Sequence, residues 1–228
     1  MLARRDDLIH WFNLSHSVEQ KIRGLAEKAA REAQGMMHLQ DYLALGAVCA
    51  AVGPGLVFEI GTYLGVTAKF ILTLVPDIRV ISIAYVNPPR ILSRKRFNNS
   101  ELRRRQVGSV VPGGLRDRFT QLFGDSHTLA SETLLQRFGR FDLVLIDGDH
   151  SRSGVAQDTA LARLILQSDG TICWHDANPK ERYLDVRRFL EAMPLLALAT
   201  AEDYTGGIAC WNPAIEARLL AEGRPDKG

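Results

Sequence analysis

Apolar positions follow two rhythms along this chain. Short, mostly apolar runs recur at 56–60, 79–83, 119–123, 141–146 and 171–174. Each is bounded by glycine, proline or polar residues, the pattern of a strand covered on both faces. Between them the apolar positions fall at helical spacing, as in Leu64, Ala68, Ile71, Leu72 and Val75, or Leu129, Leu134, Leu135 and Phe138. Further helices are expected over 153–167, ahead of a turn at Ser168-Asp169-Gly170, and around 181–191. Segments 195–199 and 207–211 predict two last strands paired antiparallel, and 214–222 a terminal helix. Upstream, residues 1–35 read as helical, with Val18, Ile22, Leu25, Ala26 and Ala29 on one face. Ser17 is the candidate N-cap there, with Gln20 three residues on. A second stripe, Leu39, Tyr42, Leu43, Gly46, Ala47, Ala50 and Ala51, stops at Gly53-Pro54-Gly55.

Strands alternating with helices at this rhythm predict an α/β fold, a doubly wound, mostly parallel seven-stranded sheet. Residues 1–38 then form an N-terminal helical extension, and 39–228 the main domain. The pattern fails once, from Ala84 to Leu115, where Pro88-Pro89, Asn98-Asn99 and Gly113-Gly114 punctuate a stretch without periodicity. An irregular segment this long inside a compact domain is usually functional or mobile.

The 228 residues suit one domain, and a net charge of +2 says little about partners. Its distribution says more. The window 79–118 holds ten Lys or Arg against Glu101 and Asp117, so this insertion, at about 84–116, is strongly basic while the remainder is acidic. Such a patch is either a solvated loop or an attraction for an anionic ligand. Few aromatics interleave its arginines, which disfavours base stacking and makes nucleic acid an unlikely partner. Cys49, Cys173 and Cys210 stand apart in apolar surroundings, as buried thiols of a reducing compartment do. No run is long enough to span a membrane and no signal-peptide core follows Met1, so the expected location is cytoplasmic. The N-terminal helices could cover the core or form a homo-oligomer contact.

Candidate chemistry gathers at strand ends. Glu59, Asp125-Ser126, Asp147-Gly148-Asp149-His150 and His175-Asp176 all follow or close predicted parallel strands. In an open parallel sheet those ends share one crevice. Gly61 and Gly65 allow a sharp turn and a close ligand approach behind the first of them. Singly, Asp125 could be a helix cap, Asp147-Gly148-Asp149 a turn and His175 a satisfied core histidine. Together, five carboxylates and two histidines on one rim would repel and desolvate one another without a ligand or metal.

The blocks VFEIGTYLG, FGDS, FDLVLIDGDH, LQSDGTICWHD and GGIACW resemble the class I S-adenosylmethionine-dependent methyltransferases, in the branch with DGDH and then HD at successive strand ends. The resemblance implies a Rossmann-like methyltransferase fold and S-adenosylmethionine (SAM) as cofactor. It places Glu59, Gly61 and Gly65 at the methionine half of the cofactor and Asp125 and Ser126 at the adenine, with Thr62 and Tyr63 also among the cofactor-binding residues. Asp147 would lie near the sulfonium. In metal-using relatives, acids matching Asp147 and Asp176 hold a divalent cation such as Mg²⁺, for which Asn178 or His175 would be the third ligand. His150 is the candidate base, with His175 second.

The implied reaction is O-methyl transfer to a hydroxyl of a small molecule, a sugar or specialised metabolite, and the basic insertion would suit an anionic one. The sequence departs from the family where an acid normally binds the ribose: Ser82-Ile83-Ala84-Tyr85-Val86 offers none, leaving Tyr85 or Asn87. That departure keeps a non-catalytic binding or regulatory protein open as an alternative, and the arginines keep a nucleic-acid methyltransferase open.

Overall fold

The computed structural model describes residues 2–4, 8–85, 106–177, 183–193, 196–199 and 206–221. Asn87, Asn178 and most of the basic insertion lie outside them. The chain begins with a short strand, β1 (Leu2–Arg4), then α1 (Leu8–Trp11), α2 (His16–Glu32) and α3 (Leu39–Val52). The alternating part follows as β2 (Leu56–Ile60), α4 (Val66–Leu74), β3 (Arg79–Ala84), β4 (Phe119–Phe123), α5 (Ser131–Phe138), β5 (Phe141–Ile146), α6 (Arg152–Ile165) and β6 (Leu166–Trp174). It closes with α7 (Leu184–Glu191), β7 (Leu196–Ala199), β8 (Ile208–Trp211) and α8 (Pro213–Ala221).

The sheet has eight strands in the order β1-β7-β8-β6-β5-β2-β3-β4, parallel except that β8 runs against both its neighbours. The expected seven strands gain an eighth because Leu2–Arg4, read as part of a helical region, pairs in parallel with β7. A three-residue strand carries too little pattern to be seen without its partner.

Strand alternation divides the core between two layers of helices. Val57, Val80, Leu143, Leu145 and Cys173 pack with residues of α1 to α4 and α8. Phe58, Ile81, Val144, Ile146, Ile172 and Trp174 pack with α5, α6 and α7 on the opposite face. Ile22, Ala26 and Ala29 of α2 belong to the first of these cores, so the N-terminal helix covers the sheet.

Two local expectations shift. The helix start lies at His16 with Ser15 before it, and Ser17 sits inside the first turn, its hydroxyl 3.2 Å from that of Ser15. The turn at Ser168-Asp169-Gly170 is instead an irregularity within β6: Phe141 pairs with Leu166 and Leu143 with Thr171, which leaves an excess of β6 residues between the two pairs.

Candidate active site

Backbone hydrogen bonds carry the register past the strand ends and align four loops on one rim. Gly61 N donates to Ile83 O (2.9 Å), Asp147 N to Ile60 O (2.9 Å), His175 N to Ile146 O (3.0 Å) and Gly124 N to Ala84 O (3.1 Å). The strand order reverses between β5 and β2, so the loops after these strands face the switch-point crevice. Gly61 is required there. Its φ is +107°, and an added Cβ would lie 2.0 Å from the carbonyl oxygen of Asp147. Gly65, at φ +88°, would meet Gly108 Cα at 2.8 Å. The returning end of the insertion is stitched to this loop by Gly108 N to Tyr63 O (3.0 Å) and Val110 N to Leu64 O (3.2 Å). Tyr63 (φ +46°) and Asp176 (φ +54°) hold left-handed backbone conformations that ordinary residues rarely adopt, and both border the crevice.

Asp147, His150, His175 and Asp176 form one cluster. His175 is buried; its Nδ1 lies 3.0 Å from Asp147 Oδ1 and 3.5 Å from Asp176 Oδ2. Its Nε2 lies 3.2 Å from Asp41 Oδ2, at the start of α3. His150 pairs with Asp176 at 2.7 Å and stands 3.8 Å from Asp147, and Tyr183 stacks on its ring at a centroid distance of 4.0 Å. Burial lowers the His150 pKa, but Asp147 and Asp176 outweigh it and lift the pKa to about 9, so at neutral pH the ring is a cation. Burial works against the Asp147 carboxylate, yet His175 and His150 hold its pKa well below the usual range. His175 is likewise held protonated against its burial, chiefly by Asp147 and Asp41.

A second polar chain lies beneath the glycine turn. Glu59 is buried, and Ser82 Oγ donates to its Oε2. Ser82 meets Thr62 Oγ1 at 2.5 Å, which in turn accepts from Gln121 Nε2 at 2.9 Å. Burial raises the Glu59 pKa to about 8, with the Ser82 hydrogen bond opposing. Asp125 accepts from His127 N at 3.0 Å, the turn-capping role open to it from sequence, while Ser126 Oγ donates to Asp158 of α6 at 2.7 Å. At the end of β3, Ala84 is buried and Tyr85 is 67% exposed; no acid stands at either position.

Asp147, His175 and Asp176 each offer a donor atom within 4.8 Å of the others, a fit to a divalent cation by two oxygens and one nitrogen. Of the residues named from sequence, the structure brings Asp147, His150, His175 and Asp176 together, sets Glu59 and Thr62 under the same edge, and leaves Asn178 outside the described residues. The sequence pattern gave no role to Asp41, Gln121 or Tyr183, and none to Ser82 beside Glu59. Only Asp41 carried a signal, as the one charged residue in the apolar helix LQDYLALGAVCAAV.

A doubly wound sheet with a glycine turn and an acid–imidazole cluster at its switch point places these groups where open α/β sheets bind their ligands. The sequence model of a methyltransferase-domain family matches residues 58–177, more than half the chain, from within β2 to just past β6. The chain belongs to this family, the class I SAM-dependent methyltransferases. Among solved structures it is similar in fold to an O-methyltransferase from Bacillus cereus in complex with SAH, at 18% identity and a TM-score of 0.50 over 86% of this chain and 90% of that one. It is also similar to the SAH-bound methyltransferase PaMTH1 of Podospora anserina, at 16% identity and a TM-score of 0.52 over 87% and 89%. None of the curated proteins matches it.

Proposed function

We propose that this protein transfers the methyl group of SAM to a hydroxyl oxygen of a small molecule, with assistance from a divalent cation. The observation that carries this reading is the cluster of Asp147, His150, His175 and Asp176 beside the Gly61 turn. Methyl transfer from a sulfonium is an in-line displacement. It needs an aligned, deprotonated acceptor oxygen and no protein nucleophile. SAM supplies the methyl group, and the glycine turn lets its methionine end approach the backbone of Gly61 and Gly65. Thr62 and Tyr63 complete that loop, and Asp125 and Ser126 take the adenine end.

A cation held by Asp147, Asp176 and His175 would lower the acceptor's pKa and orient its oxygen. His175 has both ring nitrogens engaged, which suits holding a ligand set better than taking a proton. His150 is the more accessible imidazole, its side chain about a quarter exposed. With Asp147 and Asp176 turned to a cation, His150 loses the partners that keep it protonated and can accept the acceptor's proton. In this reading residues 39–228 form the transfer unit and residues 1–38 its helical cover. The relatives with SAH bound are consistent with the cofactor, and the basic insertion with an anionic acceptor.

The test is transfer of labelled methyl from SAM to a panel of hydroxylated small molecules, with and without Mn²⁺ or Mg²⁺. The Asp147→Ala variant should lose turnover and still bind SAM by calorimetry. A wild-type protein that does not bind SAM would overturn the reading.

A further inference from the structure

We infer that Asp41 is a positioning residue for the cation site: it fixes His175 so that Nδ1, not Nε2, faces Asp147 and Asp176. The inference rests on the cation reading above and adds a residue from outside the matched 58–177 segment.

Asp41 is completely buried in a helix otherwise free of charge. A buried carboxylate is costly unless its oxygens are matched by donors. Oδ1 accepts from Gly207 N at 2.8 Å, and Oδ2 from His38 N at 2.9 Å and from His175 Nε2 at 3.2 Å. Three segments that are remote in sequence therefore converge on one side chain: the start of α3, the end of β6 and the approach to β8. A carboxylate only accepts, so the Nε2 that meets Asp41 carries a proton, which leaves Nδ1 as the nitrogen open to a cation. Nδ1 faces Asp147 Oδ1 and Asp176 Oδ2 at 3.0 and 3.5 Å, so a cation held among these oxygens would take the place of the proton there. An imidazole that ligates a metal commonly donates its other N–H to a carboxylate, which sets tautomer and ring orientation, and losing that partner typically costs 10–100-fold in metal affinity. Asp41 stands where such a partner stands.

The test compares wild type with Asp41→Asn, both loaded with SAH. The asparagine keeps an oxygen for Gly207 and can turn an amide N–H toward Nε2, which drives the proton to Nδ1 and closes the donor set. Calorimetric titration with Mn²⁺ should show affinity falling roughly 10–100-fold in Asp41→Asn, with SAH affinity unchanged. Nitrogen-15 imidazole spectra of wild type with Mg²⁺ should show His175 protonated at Nε2. This second readout needs no variant and holds even if Asp41→Asn folds poorly. Equal Mn²⁺ affinity in the two proteins, or protonation at Nδ1 in the loaded wild type, overturns the role of Asp41 and leaves the cation site standing. A wild type that binds no Mn²⁺ overturns both, and Asp176→Asn, which removes a ligand, supplies the non-binding reference.

Discussion

Glu59 shows what a single buried group does here. Its pKa of about 8 in the fold, against 4.5 for an ordinary glutamate, means that the native state prefers it neutral. A group raised in this way contributes stability that is complete below pH 4.5 and is lost as pH rises through 8. Glu59→Gln has no proton to lose. Its unfolding free energy relative to wild type, read by denaturant titration, should therefore climb between mildly acidic and alkaline pH, by on the order of a few kcal/mol at the alkaline end. A gap that stays constant with pH would show that Glu59 titrates normally. Gly61 marks the other extreme, where no side chain is tolerated. Gly61→Ala must relieve both the left-handed backbone and the contact with the Asp147 carbonyl. It should cost about 1–3 kcal/mol or more of stability and abolish SAM binding, measurable by denaturant titration and calorimetry. The need for glycine there was legible in the sequence. The partner of Glu59 was not, because Ser82 is 23 residues away and only strand register brings it opposite.

At the scale of elements, the sheet has one edge for chemistry and another for anchoring. Asp142, at the start of β5, accepts from Gly55 N and Leu56 N at 2.8 Å each and so ties the entry of β2 to its neighbour. Asp142→Ala leaves those two donors without their acceptor. It should lower stability by about 1–2 kcal/mol while leaving SAM affinity unchanged, because the crevice lies at the far ends of both strands. An equal loss of SAM affinity would mean that the two edges are coupled. Element types were readable here because parallel strands buried on both faces are plain apolar runs. Boundaries were less readable: β6 absorbs the Ser168-Asp169-Gly170 stretch because Leu166 gains a pairing with Phe141 that no local signal announces.

For the molecule as a whole, the N-terminal helices are part of the fold's cover. Lys69 of α4 reaches both carboxylate oxygens of Glu32 on α2, and Lys21 donates to Leu74 O at 2.7 Å. Ile22 is wholly buried, worth about 1.5–3 kcal/mol by itself against a total of roughly 5–15 for a typical domain. A chain starting at residue 36 should therefore unfold at a much lower temperature or without a cooperative transition, as read by calorimetry. A truncated chain that kept the full-length midpoint would make the extension dispensable. Among the described residues no helix is long and apolar enough to cross a membrane.

Hydrophobic rhythm and punctuation were enough to determine the α/β class, the succession of central strands and helices along the chain and the rim on which acids and imidazoles collect. Each of these follows from local periodicity and from the general rule that parallel strands share an edge. The tertiary structure alone decided the pairing of Leu2–Arg4 into the sheet, the Tyr183 ring against His150, and the contact of Asp41 with a histidine 134 residues later. Such contacts depend on how layers pack and which way a buried ring is turned, quantities summed over distant parts of the chain that no short window of sequence contains.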